Sequence, residues 1–286
     1  MTAEDDLQVP VASPTGLRQL VVDLEGDASF AAVVESLSRG DSATVDGAWG
    51  SACALALAGI ARQRPSALVV VVPRVGDVES LAADLASFAH APPVVFPAWE
   101  SLPEEHDSSD PVFASRLRAL TALEQVANPP VLVASIAALM QPVPSRAQRA
   151  QSTRRFVTGE ECDPEKLLAW LVERGLEPTT EVALPGEFSR HGGIIDIFAP
   201  DAVDPVRLEF FGDEIDSIRT FDAETQRQLD VCDEVQLCLV EPAPAGGQAD
   251  TGESLVDALP EGSWVGLVEL PDVKREGQEV RDRLSN

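Results

Sequence analysis

Tyrosine is absent from this 286-residue sequence, and histidine and cysteine are scarce. The four cysteines form no Cys-x-x-Cys pair and are too few for a disulfide scaffold, and the three scattered histidines have no metal-ligand spacing, so we expect no metal site. The longest apolar run, residues 52–61, is too short to cross a bilayer, and the acidic N-terminus differs from a secretory signal. These absences predict a cytoplasmic protein with reduced thiols and no membrane contact.

Positive charge is also in short supply. The chain has 21 Lys and Arg residues against 48 Asp and Glu residues, a formal net charge of −27, and Lys166 and Lys274 are its only lysines. Affinity for DNA depends on cationic side chains that neutralise phosphates. We therefore expect the chain to bind DNA only weakly, although the composition leaves room for a local basic patch.

Hydrophobic residues make up 44% of the sequence, enough for a substantial core, and their spacing divides the chain into four parts. Residues 1–15 are predicted to form a disordered acidic leader. Residues 16–143 are predicted to form the first part of an α/β domain. Residues 144–230 are predicted to form an inserted α+β domain, and residues 231–286 to return to the α/β domain.

The α/β domain is predicted to hold a doubly wound parallel sheet. A parallel strand covered on both faces is a continuous apolar run, and residues 67–72 (ALVVVV) are such a run. Helical and strand-like periods alternate around it, which is typical of this fold. The predicted helices span 16–39, 52–63, 77–88 and 113–126, and the predicted strands span 42–45, 67–72, 94–96 and 131–134. Residues 254–270 predict one more helix and a strand at 264–267, and residues 271–286 show no clear core.

The inserted domain is predicted to combine one helix with an antiparallel meander. Asp163 and Pro164 are typical of the first positions of a helix, and Gly175 is typical of the position after its end. Three strand-like segments follow, at 193–198, 206–211 and 215–221. Connections this short require antiparallel pairing.

A glycine-rich turn follows the predicted strand at 42–45, where a nucleotide-binding P-loop would lie. A working P-loop carries Gly-Lys-Ser/Thr where this chain has Ala52, Cys53 and Ala54, so the lysine that holds the phosphates and the hydroxyl that binds Mg²⁺ are missing. The segment is interpreted as a degenerate P-loop or a plain strand-to-helix turn, with no cofactor, and Cys53 as a small buried residue rather than a nucleophile. The degenerate loop comprises Gly47, Gly50, Ser51, Cys53 and Ala54.

Two later segments carry a specific pattern. Residues 184–198 read LPGEFSRHGGIIDIF, and residues 205–222 read PVRLEFFGDEIDSIRTFD. They resemble the motifs G-E-x-x-x-R-G-x-x-x-D-[IL]-F-P, R-[LV]-[ED]-x-F-x-[DE]-E-[IV] and [LI]-x-x-F-D of an inserted domain that UvrB, the damage-verifying helicase of nucleotide excision repair, shares with the bacterial transcription-repair coupling factors. The resemblance covers about residues 20–270 and continues through ETQR at 224–227, SRL at 115–117 and VAS at 133–135.

Two departures from UvrB separate these relatives. UvrB has an intact P-loop and reads damage with a tyrosine-rich β-hairpin at the place that residues 97–111 occupy here. That segment is instead an acidic, proline-containing loop, interpreted as solvated surface or as a mask over a DNA-binding surface. Base stacking requires aromatic faces, and a run such as EEHD at 104–107 would repel phosphates. Both departures match the N-terminal module of the coupling factors.

The resemblance implies a non-catalytic module that recruits UvrA to stalled RNA polymerase in transcription-coupled repair and restrains the motor domains of a longer parent protein. ATP and Mg²⁺ would belong to those motor domains, so the chain is expected to be a fragment or a truncated form. The alternative is a divergent UvrB-type ATPase or helicase acting on damaged DNA, and the residues Cys53 and Ala54 argue against it.

The segment 206–211 is predicted to present two candidate partner-binding residues, Arg207 and Phe211. Side chains alternate between the faces of a strand, so Val206, Leu208 and Phe210 would face the core and Arg207 and Phe211 would not. In one interpretation Phe211 folds over the following turn and Arg207 pairs with Glu209 or a neighbouring strand. In the other they anchor an interface. The resemblance favours the interface, because the matching family residues contact UvrA.

Arg190 and His191 are placed by the resemblance at the edge of the same patch. The family motif has Arg directly before Gly, whereas here His191 precedes Gly192 and Arg190 lies one place earlier. A turn residue that caps a strand is the alternative interpretation of His191.

Overall fold

The structure is a computed structural model that describes residues 14–99, 110–124, 130–240 and 252–284. Most of the predicted leader and most of the acidic loop at 97–111 lie outside the described residues, as does the proline- and glycine-containing stretch 241–251, where a flexible linker is predicted over 241–252. The described residues form, in chain order, α1 Pro14–Glu25, α2 Ala28–Ser38, α3 Ser51–Gln63, β1 Leu68–Val72, α4 Val75–Phe88, β2 Val94–Phe96, α5 Pro111–Leu123, β3 Val131–Ser135, α6 Ile136–Met140, β4 Val143–Pro144, α7 Arg146–Gln151, β5 Thr153–Val157, α8 Pro164–Glu173, β6 Glu177–Pro178, β7 Glu187–His191, β8 Ile194–Ile197, β9 Val206–Phe211, β10 Glu214–Phe221, β11 Gln228–Cys232, β12 Glu234–Cys238, β13 Gly252–Glu253, β14 Trp264–Leu267 and α9 Leu270–Leu284.

A parallel sheet in the order β14-β1-β3-β2 forms the centre of the first domain. Its central strand β1 is buried along its whole length, as the apolar run predicts. Leu68, Val70 and Val72 face a layer that contains α1, α3 and α4, whereas Val69 and Val71 face a layer that contains α5, α6 and α9. The prediction of an α/β domain built on a parallel sheet is therefore confirmed.

A second, six-stranded sheet has the order β11-β10-β9-β8-β7-β6 and is antiparallel except between β6 and β7. The predicted helix after Asp163 is α8, and Asp163 accepts backbone hydrogen bonds from Glu165 and Lys166 at its N-terminus. Leu167 and Leu171 of α8 pack on one face of the sheet. The predicted antiparallel meander on one helix is confirmed.

The division of the chain at 144 and 230 stays a prediction. The antiparallel pairing of β5 with β12 continues the contacts of this second unit to Cys238, because Phe156 and Leu237 join the same core as α8 and the sheet. The predicted boundary at 230 excludes β12, whose pairing partner β5 lies far away in the sequence.

Three predicted elements are wrong. Residues 42–45 form no strand and are exposed, since the apolar side chains there are too few to bury a face. The helix predicted over 16–39 is divided into α1 and α2, because the Asp27 side chain accepts hydrogen bonds from Ser29 and Phe30 and begins a new helix. No helix precedes β14 within the described residues from 252 onward, where turns follow β13.

The charged C-terminal stretch, predicted to lack a core, forms α9 instead. Val273 of this helix is buried against the parallel sheet layer. A Cβ on Gly277 would come within 3.2 Å of Ile136, so the glycine permits close packing of α9 on α6. The sequence pattern gave little sign of this contact because it depends on two positions in a long polar helix.

Arg116 of α5 is 2% exposed and lies between the rings of Phe96 and Trp99, with its Cζ atom 4.2 and 4.3 Å from their centroids. Its guanidinium donates hydrogen bonds to the carbonyl oxygens of Pro97 and Pro142. Burial lowers the pKa of Arg116 to about 9, so the side chain remains charged at neutral pH. Arg116 thereby joins the end of β2 to the segment between α6 and β4.

Replacing Arg116 by Ala should lower the free energy of unfolding by about 3 kcal/mol or more, because it leaves buried carbonyl oxygens without donors and a void between two rings. Urea denaturation measures the change. The matched control is Arg39→Ala, since Arg39 forms only exposed ion pairs and should cost less than about 1 kcal/mol. Equal effects of the two variants would contradict this account of Arg116.

A contact between the two units involves Asp201, which follows β8. Its carboxylate accepts a hydrogen bond from the Thr121 hydroxyl of α5 at 3.2 Å, and burial raises its pKa. Arg118 of α5 donates to the neighbouring carbonyl oxygen of Ala202 at 3.4 Å. The hydrogen bond to Asp201 thus holds the loop after β8 against α5. Burial of this carboxyl group makes its charged form less favourable in the folded state than in water.

A folded-state pKa above the unfolded value of about 3.9 means that Asp201 stabilises the fold most at low pH and loses this contribution as pH rises through the folded-state pKa. Asp201→Asn keeps an acceptor for Thr121 and removes the titration. We expect the variant to gain stability relative to the original chain between pH 4 and pH 7, measured by urea denaturation at both values. A difference that does not change with pH would contradict the prediction.

Candidate partner-binding face

The six-stranded sheet has one face covered by α8 and one that we call the outer face. The outer face carries Asp196 of β8, Arg207, Glu209 and Phe211 of β9, and Ser217 and Arg219 of β10. Burial along β9 alternates as predicted, with Val206 and Leu208 buried in the core and Phe211 exposed. A shift of register near Asp216 lets Ser217 and Arg219 lie opposite Glu209 and Arg207.

Arg207 is paired across the sheet with Asp196. Its Nε and Nη2 atoms donate to the two oxygens of Asp196 at 2.7 and 2.8 Å, and the carboxylate is only 3% exposed. The guanidinium also lies over the ring of Phe221, with its Cζ atom 4.7 Å from the centroid. The hydrogen bonds to Asp196 raise the pKa of Arg207, so it stays charged. Of the two interpretations of Arg207, its pairing with a neighbouring strand is therefore observed, but with Asp196 rather than Glu209.

Phe211, in contrast, does not fold over the turn that follows it. It is 82% exposed, and Gly212 begins that turn with a φ of 65°. A large apolar side chain that extends into solvent from a regular strand is costly to leave uncovered, and it is typical of an interface anchor.

Glu209 lies between Arg207 and Phe211 and is already neutralised. It accepts hydrogen bonds from the Ser217 hydroxyl at 2.7 Å and from Arg219 at 2.9 Å. The two acidic and two basic groups of the outer face, Asp196, Glu209, Arg207 and Arg219, therefore cancel in charge.

His191 and Arg190 lie on different faces of β7. His191 is in register with Ile194, which is in register with Glu209, so it belongs to the outer face, and its Nε2–H donates to the Thr180 carbonyl oxygen at 2.7 Å. Arg190 is in register with Ile195 and donates to Glu165 of α8 at 2.6 Å. The structure thus brings His191, and not Arg190, to the face that carries Arg207 and Phe211.

The glycine-rich turn begins α3 without a preceding strand. Gly47 and Gly50 have positive φ values of 77° and 52°, and the Ser51 hydroxyl donates to Asp84 at 3.2 Å. Ala54, at the position of the P-loop hydroxyl, is fully buried, and burial raises the pKa of the Cys53 thiol. Cys53 is half-buried, and its interpretation as a small packing residue rather than a nucleophile stays a prediction.

Asp196 and Phe221 are the residues of this face that sequence reasoning missed. Both were quoted as parts of a motif, and neither was given a role. Asp196 alternates with Ile195 and Ile197 on β8, and a carboxylate at a regular position of a buried strand could have indicated a cationic partner on the next strand.

Within the described ranges, no group of three or more His, Cys, Asp or Glu side chains is arranged to hold a metal ion. None of the helices in the described part of the chain is long and apolar enough to cross a membrane.

An α/β unit with a parallel sheet, joined to an antiparallel sheet, places the chain in the class of mixed α/β proteins. Comparison with known families agrees with the resemblance. Residues 155–241 match the family model of the UvrB interaction domain. The match contains α8 and the six-stranded sheet with its outer face.

The chain is also similar to transcription-repair coupling factors. It is 37% identical to that of Myxococcus xanthus over 220 residues, 33% identical to that of Haemophilus influenzae over 187 residues and 28% identical to that of Bacillus subtilis over 212 residues. These matches cover 74%, 64% and 73% of this chain but only 18%, 16% and 18% of the relatives, so the chain spans less than a fifth of their length. The resemblance inferred from the motifs is confirmed.

The two candidate anchors should differ sharply in their effect on folding. Arg207→Ala leaves the buried Asp196 carboxylate without its partner and should cost about 2–4 kcal/mol of unfolding free energy, whereas Phe211→Ala should change it by less than about 0.5 kcal/mol. Thermal and urea denaturation of both variants measure the difference. If Arg207→Ala is as stable as Phe211→Ala, the ion pair does not support the sheet in the way described.

Proposed function

We propose that this chain is a non-catalytic module of transcription-coupled nucleotide excision repair and that the outer face of its six-stranded sheet binds UvrA. Phe211 is the central anchor of this interface, Arg207 lies on the same face of β9, and His191 lies at its edge. Arg190 was placed in the same patch by the resemblance, but it is omitted from the proposed interface because it pairs with Glu165 on the other side of the sheet.

The observation that carries the proposal is the exposure of Phe211 on the sheet of the unit that matches the UvrB interaction domain. Interfaces draw their binding energy from a few aromatic and arginine residues near the centre of a contact. Val231 of β11, which is in register with Arg219, is a second exposed apolar side chain of this surface.

The parent of such a module would contact RNA polymerase and carry motor domains that use ATP and Mg²⁺. In this proposal the module recruits UvrA to a stalled polymerase, restrains the motors, binds DNA only weakly and works in the cytoplasm without a cofactor of its own. The net charge of −27 supports weak DNA binding, since it repels the phosphate backbone.

The parallel-sheet domain is proposed to be a UvrB-like, doubly wound domain whose P-loop has degenerated. A functional loop requires a lysine and a hydroxyl at its end, and this chain has a half-buried thiol and a buried methyl group there. The alternative of a UvrB-type ATPase or helicase has no side chain for the γ-phosphate in this loop.

Phe211→Ala should weaken binding to UvrA by roughly 30- to 1,000-fold, because a central interface anchor contributes about 2–4 kcal/mol. The melting temperature should not change. Calorimetric titration of the chain with UvrA measures the affinity. The matched control is Trp49→Ala, which removes another exposed aromatic side chain, 75% exposed, from the other domain and should leave the affinity unchanged.

A chain that does not bind UvrA, or a Phe211→Ala variant that binds as tightly as the original, would contradict the proposed function. Equal losses in both aromatic variants would point to nonspecific contact with apolar surface.

Mg-ATP should not bind measurably to this chain, since the charge of the γ-phosphate and the metal ion find no partner in the loop at 47–54. Calorimetric titration with Mg-ATP tests this. A micromolar Kd would favour the ATPase alternative and remove the argument from Cys53 and Ala54.

A further inference from the structure

The guanidinium of Arg207 has N–H groups that its bond to Asp196 does not use. Arginine carries five N–H groups in a planar fork, and Arg207 uses one on Nε and one on Nη2 for the two oxygens of Asp196. The other three N–H groups, two on Nη1 and one on Nη2, have no partner among the described residues. The side chain is 29% exposed, so part of the fork is accessible from outside.

Two surfaces fix the plane of this fork. The bidentate bond to Asp196 sets its direction across the sheet, and the ring of Phe221 supports it at 4.7 Å. Phe221 is itself buried in a small cluster with Val182 and Phe198 and is unable to move aside freely. Asp196 is buried, so its carboxylate is also held in place.

We propose that Asp196 is a positioning residue of the docking face, which holds Arg207 so that its free N–H groups bind a planar oxygen acceptor of the partner. This inference rests on the proposed function and deepens it. Asp196 does not touch the partner in this arrangement. It acts through Arg207, because its two hydrogen bonds orient the guanidinium that packs on Phe221.

The spacing of the two anchors defines what the partner must offer. Phe211 is four residues along β9 from Arg207 on the same face, a distance of about 13 Å at the usual rise of a strand. Glu209 between them is satisfied by Arg219 and Ser217 and has little to offer a charged partner. The complementary surface of UvrA therefore has an apolar pocket and, about 13 Å away, a carboxylate or carbonyl oxygen.

A double-mutant cycle on UvrA binding tests this inference, with Asp196→Asn, Arg207→Met and both together. Methionine keeps the packing on Phe221 and removes the fork. Asp196→Asn should weaken binding about tenfold in the original chain and have no effect when residue 207 is already Met, because Asp196 acts only through Arg207. Glu234→Gln is the control, since Glu234 pairs with Arg155 on the two-stranded sheet away from the outer face.

A second readout does not depend on UvrA. The ¹⁵Nε–¹Hε resonance of Arg207 should exchange slowly with water in the original chain and rapidly in Asp196→Asn. A third variant, Arg207→Lys, keeps a charge beside Asp196 but lacks the planar fork, so it should fold and still lose about tenfold in affinity. Arg207→Lys takes the place of Asp196→Asn in the measurement of UvrA binding if Asp196→Asn proves too unstable to study.

The inference is overturned if Asp196→Asn or Arg207→Lys binds UvrA as tightly as the original chain, or if the Asp196 and Arg207 effects are additive. Such results leave the proposed function standing as long as Phe211→Ala loses affinity. Failure of the original chain to bind UvrA defeats the proposed function itself. Where the original chain binds UvrA, the dependence of affinity on salt distinguishes the two acceptors. A carboxylate gives a steep dependence and a carbonyl oxygen does not, and either acceptor satisfies the inference.

Discussion

Asp196 is 3% exposed on the outer face of the sheet, and a carboxylate in that position requires a charged partner. Arg207 of the neighbouring strand provides it with two hydrogen bonds. A buried ion pair of this kind adds little net stability, because desolvation of the two groups offsets their attraction. Its main effect is geometric. It fixes the register of β8 against β9 and the plane of the guanidinium over Phe221, and so it defines the part of the outer face around Arg207.

The two domains divide the roles. In the parallel-sheet domain two residues of the proposed degenerate P-loop make internal contacts, since Ala54 is buried and the Ser51 hydroxyl donates a hydrogen bond to Asp84. The contact of Thr121 with Asp201 joins this domain to the second unit, and Arg116 fixes the segment around Pro142 that leads to it. The antiparallel sheet has its main core on the α8 side, and its outer face carries the exposed side chain of Phe211. In the proposed function the first domain serves as a support and the second binds UvrA.

Much of this arrangement follows from local patterns. The run at 67–72 predicts β1, and the alternation at 206–211 predicts β9 and its two faces, because burial repeats with the period of the strand. The elements that were missed depend on distant partners. β12 needs β5 to form a ladder, and α9 packs on the first domain through Val273, which is buried, and Gly277, which lies against Ile136.

The candidate site shows the same limit. The sequence places Arg207 and Phe211 on one face, but it does not say that Arg207 is paired with Asp196, since that contact depends on the register between β8 and β9. The resemblance also places Arg190 and His191 in one patch, although adjacent residues of a strand point to opposite faces. Arg190 pairs with α8 for that reason.

The central claim is that UvrA covers the outer face at Phe211. Site-specific photo-crosslinking tests it most directly, with a benzophenone amino acid placed at position 211 and, in a second preparation, at position 49 as an equally exposed control. The account predicts a crosslink to UvrA from position 211 that excess unlabelled chain removes, and none from position 49. A crosslink from position 49 alone, or from neither position in a mixture where binding is measured, would contradict it.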